Sequence, residues 1–144
     1  VDCLYFSLSV DDLPSDEPIL YLDGTGNGPI NNLTFVSTLC DCAPVGQALA
    51  SVSVIGKKEL DIEEIANQAK NQFAEWFGKK AEGWKYLKGY RIHQAVPSCT
   101  TPPSPKPALT EVYRCGDYFG LPSIDSAMKS GRLTAEHIIR ESES

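Results

Sequence analysis

Residues Leu4, Phe6, Leu8 and Val10 alternate with Tyr5, Ser7 and Ser9. Successive side chains of a strand point to opposite sides, so this period of two predicts a strand over Cys3 to Val10 with one buried face. Asp11 to Pro18 is a polar, proline-containing break, and Ile19 to Leu22 is a short apolar run. The segment Asp23-Gly24-Thr25-Gly26-Asn27-Gly28-Pro29 then reads as a hairpin loop. Two further strands are expected over Leu33 to Ser37 and Ala48 to Ile55, with Ala43-Pro44-Val45-Gly46 turning the chain between them. The reading up to Ile55 is an antiparallel meander.

The period then changes. Ile62, Ile65, Ala66, Ala69, Phe73, Trp76 and Phe77 recur at three- and four-residue spacing, which sets them along one side of a helix. Asp61 followed by Glu64 fits a capping arrangement, and Gly78 is a stop signal. Trp84 to Val96 reads as extended, ending at Pro97. Pro102, Pro103, Pro105 and Pro107 mark residues 98–111 as a surface crossing, because proline cannot donate to a ladder or helix. Beyond it, Val112 to Cys115 is expected as a short strand ended by Gly116-Asp117. A loop leads to Ser123, a good helix cap, and Ile124, Ala127, Met128, Gly131, Ala135, Ile138 and Ile139 continue at helical spacing. The polar tail from Arg140 to Ser144 is expected to fray. The fold class is therefore α+β: an antiparallel sheet with a flanking helix over residues 1–97, a Pro-rich crossing over 98–111, and a strand–helix unit over 112–144.

Bulk properties bound the function. A chain of 144 residues, 42% hydrophobic and 22% charged, is the size and make-up of one globular domain. A net charge of −6 weighs against a nucleic-acid partner, and the one dense basic group (Lys79, Lys80, Lys85, Lys88) is interrupted by Glu82 and reads as a solvated face. No run approaches the roughly 18 apolar residues of a membrane span. Residues 1–20 contain no signal-peptide pattern, and Val1 in place of Met suggests a piece of something longer. The five cysteines lack a disulfide-like spacing, which favours a reducing compartment such as cytoplasm or plastid. Cys40 and Cys42 are too close for a zinc knuckle and have no nearby His, so they read as free thiols and no metal is expected.

Gly24-x-Gly26-x-Gly28 is not a dinucleotide fingerprint: the third Gly comes too early, and a strand follows where a helix is required. The run from Tyr113 to Ile139 has a different character. A strand end in Gly116-Asp117 is followed by a helix whose first turns carry Ser126, Ala127, Ser130 and Gly131. A helix flank so poor in side chains admits something flat, or another backbone. The helix start offers free N–H donors and partial positive charge, and Asp117 could accept from sugar-like hydroxyls. Equally, Asp117 could cap a turn and the small residues could pack on a neighbouring element. His137 reads as solvated on the polar side of this helix, and His93, in the extended stretch, as structural or surface.

Residues Tyr113 to Glu136 resemble the C-terminal flavin motif of the FAD-dependent amine oxidase and phytoene desaturase superfamily. The matching positions are Gly116-Asp117, Ser123-Ile124, Ala127, Ser130-Gly131 and Ala135. Leu33 to Ile55 with Ala43-Pro44-x-Gly46, and Tyr90 to Pro97, are similar to the substrate-domain strands of NAD(P)/FAD-dependent oxidoreductases in that superfamily. The resemblance implies a substrate-domain sheet joined to the C-terminal segment of an FAD-binding domain. It places Gly116 and Asp117 by the ribityl and pyrophosphate part of FAD, and the backbone of Ser123, Ile124 and Asp125, with Ala127, by the pyrimidine edge of the ring. Two positions depart from the pattern: Ser126 stands where the motif has Gly, and Ser123 where the monoamine-oxidase branch has an aromatic-cage Tyr. The resemblance implies FAD and a small-molecule substrate as partners, with no catalytic residue assigned. The βαβ unit that would grip the ADP half of FAD is not among these residues, so the isolated piece is expected to hold FAD poorly. Strand edges left bare by truncation would invite self-association. The alternative is a non-catalytic α+β protein-interaction domain without cofactor.

Overall fold

A computed structural model describes residues 1–57, 59–97 and 112–142. The proline-rich crossing at 98–111 lies outside them. The chain divides into two compact units, Val1–His93 and Gln94–Ser144. The class is α+β, with a five-stranded antiparallel sheet and two α-helices among the described residues.

The first unit contains β1 (Asp2–Ser9), β2 (Leu20–Leu22), β3 (Ile30–Phe35), β4 (Gln47–Val54), α1 (Ile62–Phe77) and β5 (Lys85–Arg91). The alternation in β1 is realised, with Leu4, Phe6 and Leu8 buried and Cys3, Tyr5 and Ser7 half-exposed. Val10 departs from it: a 3-10 turn over Val10–Asp12, capped by Ser9, takes the chain out of the sheet. The Gly-rich segment joins β2 to β3 as an antiparallel hairpin.

The expected meander is corrected. Strand order is β2-β3-β4-β1-β5, so β1 pairs with β4 and β5 and lies inside the sheet. Burial explains the placement: Leu4 and Phe6 are 0% exposed, a condition best met by strands on both flanks. Short β2 and polar β5 take the edges. β5 is shorter than the expected 84–96 stretch, because its register with β1 ends at Asp2 opposite Arg91. His93 follows Ile92 in a turn.

α1 covers one face of this sheet. Asp61 caps it through its carboxylate, which accepts the Ile62 N–H at 3.2 Å. Gly78 ends it at φ +60°, a conformation that favours glycine. Ile65, Ala66, Ala69 and Phe73 are buried against Leu4, Phe6, Phe35, Val52 and Val54, with Ile62, Trp76 and Phe77 partly buried around them. Phe6 and Phe73 meet edge to face at 4.9 Å, and Trp84 closes the cluster against Phe35 at 5.4 Å.

The second unit contains α2 (Ile124–Ser142), preceded by a single 3-10 turn at Asp117–Phe119. The expected strand over Val112 to Cys115 is corrected: Val112 makes an isolated bridge and residues 113–115 have no regular structure. A strand needs a ladder partner along its length, and the sheet pairings described here do not reach this segment. The expected fraying is also narrower than the sequence suggests, because α2 continues through Arg140 and Glu141 to Ser142.

Candidate functional site

In the second unit, Ser123 caps α2 as expected. Its hydroxyl accepts the Ser126 N–H at 3.1 Å, and its carbonyl accepts the Ala127 N–H at 3.1 Å. The Ser123 hydroxyl also donates to the Ser126 hydroxyl at 3.1 Å, so the Ser at the motif's Gly position is absorbed into the cap. Ser123, Ile124 and Asp125 are exposed, and the first-turn N–H groups of Ile124 and Asp125 have no intrahelical acceptor by position.

The Gly116-Asp117 turn is tied to the same helix. Gly116 donates its N–H to the Ser130 hydroxyl at 3.1 Å, and Ser130 is the buried residue of α2. A Cβ on Gly116 would lie 2.5 Å from the Tyr118 ring, so a larger residue there would force that ring aside. Gly120 donates to the Asp117 carbonyl at 3.2 Å, and a Cβ on Gly120 would meet the Ser126 hydroxyl at 3.1 Å. Thr134 reaches the Arg114 carbonyl at 3.4 Å. Residues 114–120 therefore lie along Ser126, Ser130 and Thr134.

This geometry divides the small-residue flank. The Ser130 side receives the chain's own backbone, which is the plainer of the two readings made from the sequence. The Gly131 side is open, with no atom within 4 Å of an added Cβ. Asp117 and Ala127 are half-buried, and the Asp117 carboxylate makes no hydrogen bond to another described residue. His137 is less free than expected: its imidazole lies 3.3 Å from Glu141, and its ring stands edge-on to Tyr113 at 6.0 Å. Tyr113 donates to the same Glu141.

In the first unit, the sheet face opposite α1 is lined by small and polar groups. Cys3, Tyr5 and Ser7 stand in register with Ser53, Ser51 and Leu49 on β4, and with Tyr90, Lys88 and Lys85 on β5. Tyr5 and Tyr90 meet edge to face at 6.1 Å, and the Lys88 ammonium lies 5.1 Å from the Tyr90 ring centre. The Tyr5 hydroxyl is pushed above its ordinary pKa, first by its hydrogen bond with Cys3 and by that group's charge, then by burial. The outward half of the β1 alternation already contained this face, but pairing with β5 was needed to bring Tyr90 and Lys88 to it. His93 lies beyond β5 and is exposed.

A shallow polar cleft of about 210 Å³ lies between the hairpin loop and α1, lined by Asn27, Lys57, Gln68, Asn71, Gln72 and Glu75. Gln72 is not among the apolar residues that mark the α1 stripe, yet it is 4% exposed. Among the described residues no group of three or more His, Cys, Asp or Glu side chains could hold a metal ion, and no helix is long and apolar enough to cross a membrane. No protein-family model matches the chain, and no curated protein matches it significantly.

Proposed function

We propose that this chain is the C-terminal part of a flavin-dependent oxidoreductase of the amine oxidase superfamily. Its second unit closes over FAD, and the open face of its sheet forms part of a substrate cavity. One observation carries the reading. The Gly116-Asp117 turn is held on the first half of α2 by the Gly116–Ser130 hydrogen bond, so a carboxylate with no hydrogen bond to another described residue and the exposed start of a helix belong to one small unit.

The donor set fits one half of the cofactor. Asp117 would accept from ribityl hydroxyls, the N–H groups of Ile124 and Asp125 would face the carbonyl-bearing pyrimidine edge, and Gly131 leaves room for a flat group. FAD supplies the hydride chemistry when bound. The chain's own contribution is orientation, plus a helix-terminus preference for negative charge of roughly 0.3–1 kcal/mol, a tuning effect. In the first unit, Tyr5, Ser51, Ser53 and Tyr90 would wall the substrate side.

The full-length native protein should purify yellow and keep FAD through gel filtration. Asp117→Ala in that protein should lower the ratio of FAD to protein. A colourless full-length protein, or an Asp117→Ala variant with undiminished FAD, overturns the reading.

A second reading rests on a separate observation. The unit Val1–His93 has its own buried core, and its edge strand β2 exposes Leu20 at 57% and Leu22 at 69%. A self-sufficient sheet with an apolar edge suits a protein-interaction domain without cofactor. Under that reading the native protein is colourless and Leu20→Lys/Leu22→Lys abolishes partner binding.

A further inference from the structure

The connection between β3 and β4 holds two sulfurs in an arrangement that the flavin reading does not use. After the 3-10 turn Val36–Thr38, Cys40 and Cys42 are both exposed. The Cys42 N–H donates to the Cys40 carbonyl at 2.9 Å, a three-residue turn that folds the segment back on itself. Two residues span at most about 7 Å when fully extended, and a folded turn is shorter, which brings the pair within the roughly 4.4–6.8 Å Cα separation of a disulfide.

The surroundings give the two thiols different tasks. Ser37 is anchored, because its hydroxyl oxygen accepts the Leu49 N–H from β4 at 2.8 Å. Its own proton is free to point elsewhere, and the Cys42 sulfur lies 3.6 Å from that oxygen. The Cys40 thiol lies 3.7 Å from the Val36 carbonyl. It is also pushed above its ordinary pKa, first by its hydrogen bond with Cys42 and then by desolvation and the Cys42 charge. The two sulfurs therefore differ in their neighbours: the Cys42 sulfur has a hydroxyl that can donate to it, whereas the Cys40 S–H is directed to a carbonyl.

We infer that Cys40 and Cys42 form a redox-active dithiol, with Cys42 as nucleophile and Cys40 as resolving thiol, that exchanges with low-molecular-weight disulfides. The Cys42 thiolate attacks one sulfur of the external disulfide and its S–S bond breaks. One thiol leaves, taking up a proton, and Cys42 is left as a mixed disulfide. Cys40 then loses its proton to solvent and attacks the Cys42 sulfur, closing the intramolecular disulfide and releasing the second thiol. Two protein thiols are oxidised and one external disulfide is reduced to two thiols. The other described cysteines lack this arrangement: Cys3 is half-buried beside Ser51 at 3.9 Å, and Cys115 has no thiol beside it among the described residues.

Incubating the full chain with oxidised glutathione, blocking remaining thiols and mapping peptides by mass spectrometry tests this. The peptide containing both cysteines should be two hydrogens lighter and free of glutathione, and Cys40→Ser should instead trap glutathione on Cys42. Ser37→Ala should slow modification at Cys42 several-fold while leaving Cys115 unchanged. The inference is overturned if the wild-type peptide stays reduced or carries glutathione. It is equally overturned if Cys40→Ser traps nothing at Cys42, or if Ser37→Ala leaves the Cys42 rate unaltered.

Discussion

Gln72, buried on α1, accepts the backbone N–H of Ile30 at 3.0 Å through its side-chain oxygen. Its amide nitrogen donates to Asp23 at 3.1 Å, so one side chain ties both ends of the β2–β3 loop to the helix. Gly28 makes room for it, since a Cβ there would lie 2.0 Å from the Gln72 oxygen. Gln72→Leu strands the buried Ile30 N–H and should cost about 1–3 kcal/mol in urea unfolding. An unchanged midpoint would show that the loop does not depend on this anchor.

The same loop predicts a pH response. The Asp23 carboxyl is held below its ordinary 3.8, first because the Thr25 hydroxyl donates to it at 2.7 Å and the Thr25 N–H at 2.8 Å. A pKa lowered by folding means that the unfolded chain takes up the proton first as pH falls. The stabilisation is therefore complete above the unfolded value, near pH 4, and is lost as pH drops through the folded one. The stability difference between wild type and Asp23→Asn should be flat at neutral pH and shrink in acid below about pH 4. A difference that grows on acidification contradicts this sign.

What periodicity reports is burial, and where burial is strongly periodic the fold was readable. The β1 alternation as far as Leu8, the α1 stripe from Ile62 to Phe77, and the caps Asp61, Gly78 and Ser123 stand where the residues indicated. Strand order was not readable in the same way. Nothing local in Cys3 to Val10 says whether its neighbour is β2 or β4. That choice is made by total burial of Leu4 and Phe6, a property of the assembled sheet. The strand expected at Val112 to Cys115 failed for a related reason: local composition favours extension, but extension becomes a strand only with a ladder partner.

The candidate site was legible in part. Ser123 and the Gly116-Asp117 turn were identifiable from residue type, because caps and tight turns are local. Which side of the small-residue flank stays open was not, since it depends on residues 114–120 lying along Ser126, Ser130 and Thr134. Cys40 and Cys42 were visible as a pair, but Ser37 joins them only through its bond to Leu49 on another strand.

Arg91 on β5 and Asp2 on β1 form a two-pronged ion pair, with Nε at 2.8 Å and Nη2 at 3.1 Å from the carboxylate oxygens. A third contact from the guanidinium reaches the Leu60 carbonyl at 2.8 Å, linking the edge strand to the segment just before α1. The Asp2 side chain is only 6% exposed, so Arg91→Met leaves a carboxylate in poor solvent. That variant should unfold at clearly lower denaturant than wild type, and Asp2→Asn/Arg91→Met should recover part of the loss. A double variant weaker than the sum of the singles would show that the pair is not acting as a unit.

Two glycines give opposite expectations for the same substitution. A Cβ on Gly89 would lie 2.2 Å from Ile62, 2.7 Å from the Tyr86 hydroxyl and 2.9 Å from Leu4, inside the packed layer between β5 and α1. Gly89→Ala should therefore destabilise the sheet unit by about 1–3 kcal/mol, the usual range for overpacking. Gly131 lies within α2 with nothing within 4 Å of an added Cβ. By helix propensity alone Gly131→Ala should stabilise the isolated chain by about 0.5–1 kcal/mol. If the open side of α2 receives a flat ring, the same change in the full-length protein should lower FAD retention. Thermal unfolding of this chain, and the flavin content of the protein posited by the proposed function, separate the two effects. A stabilised helix with undiminished flavin would show that the gap at Gly131 serves no ligand.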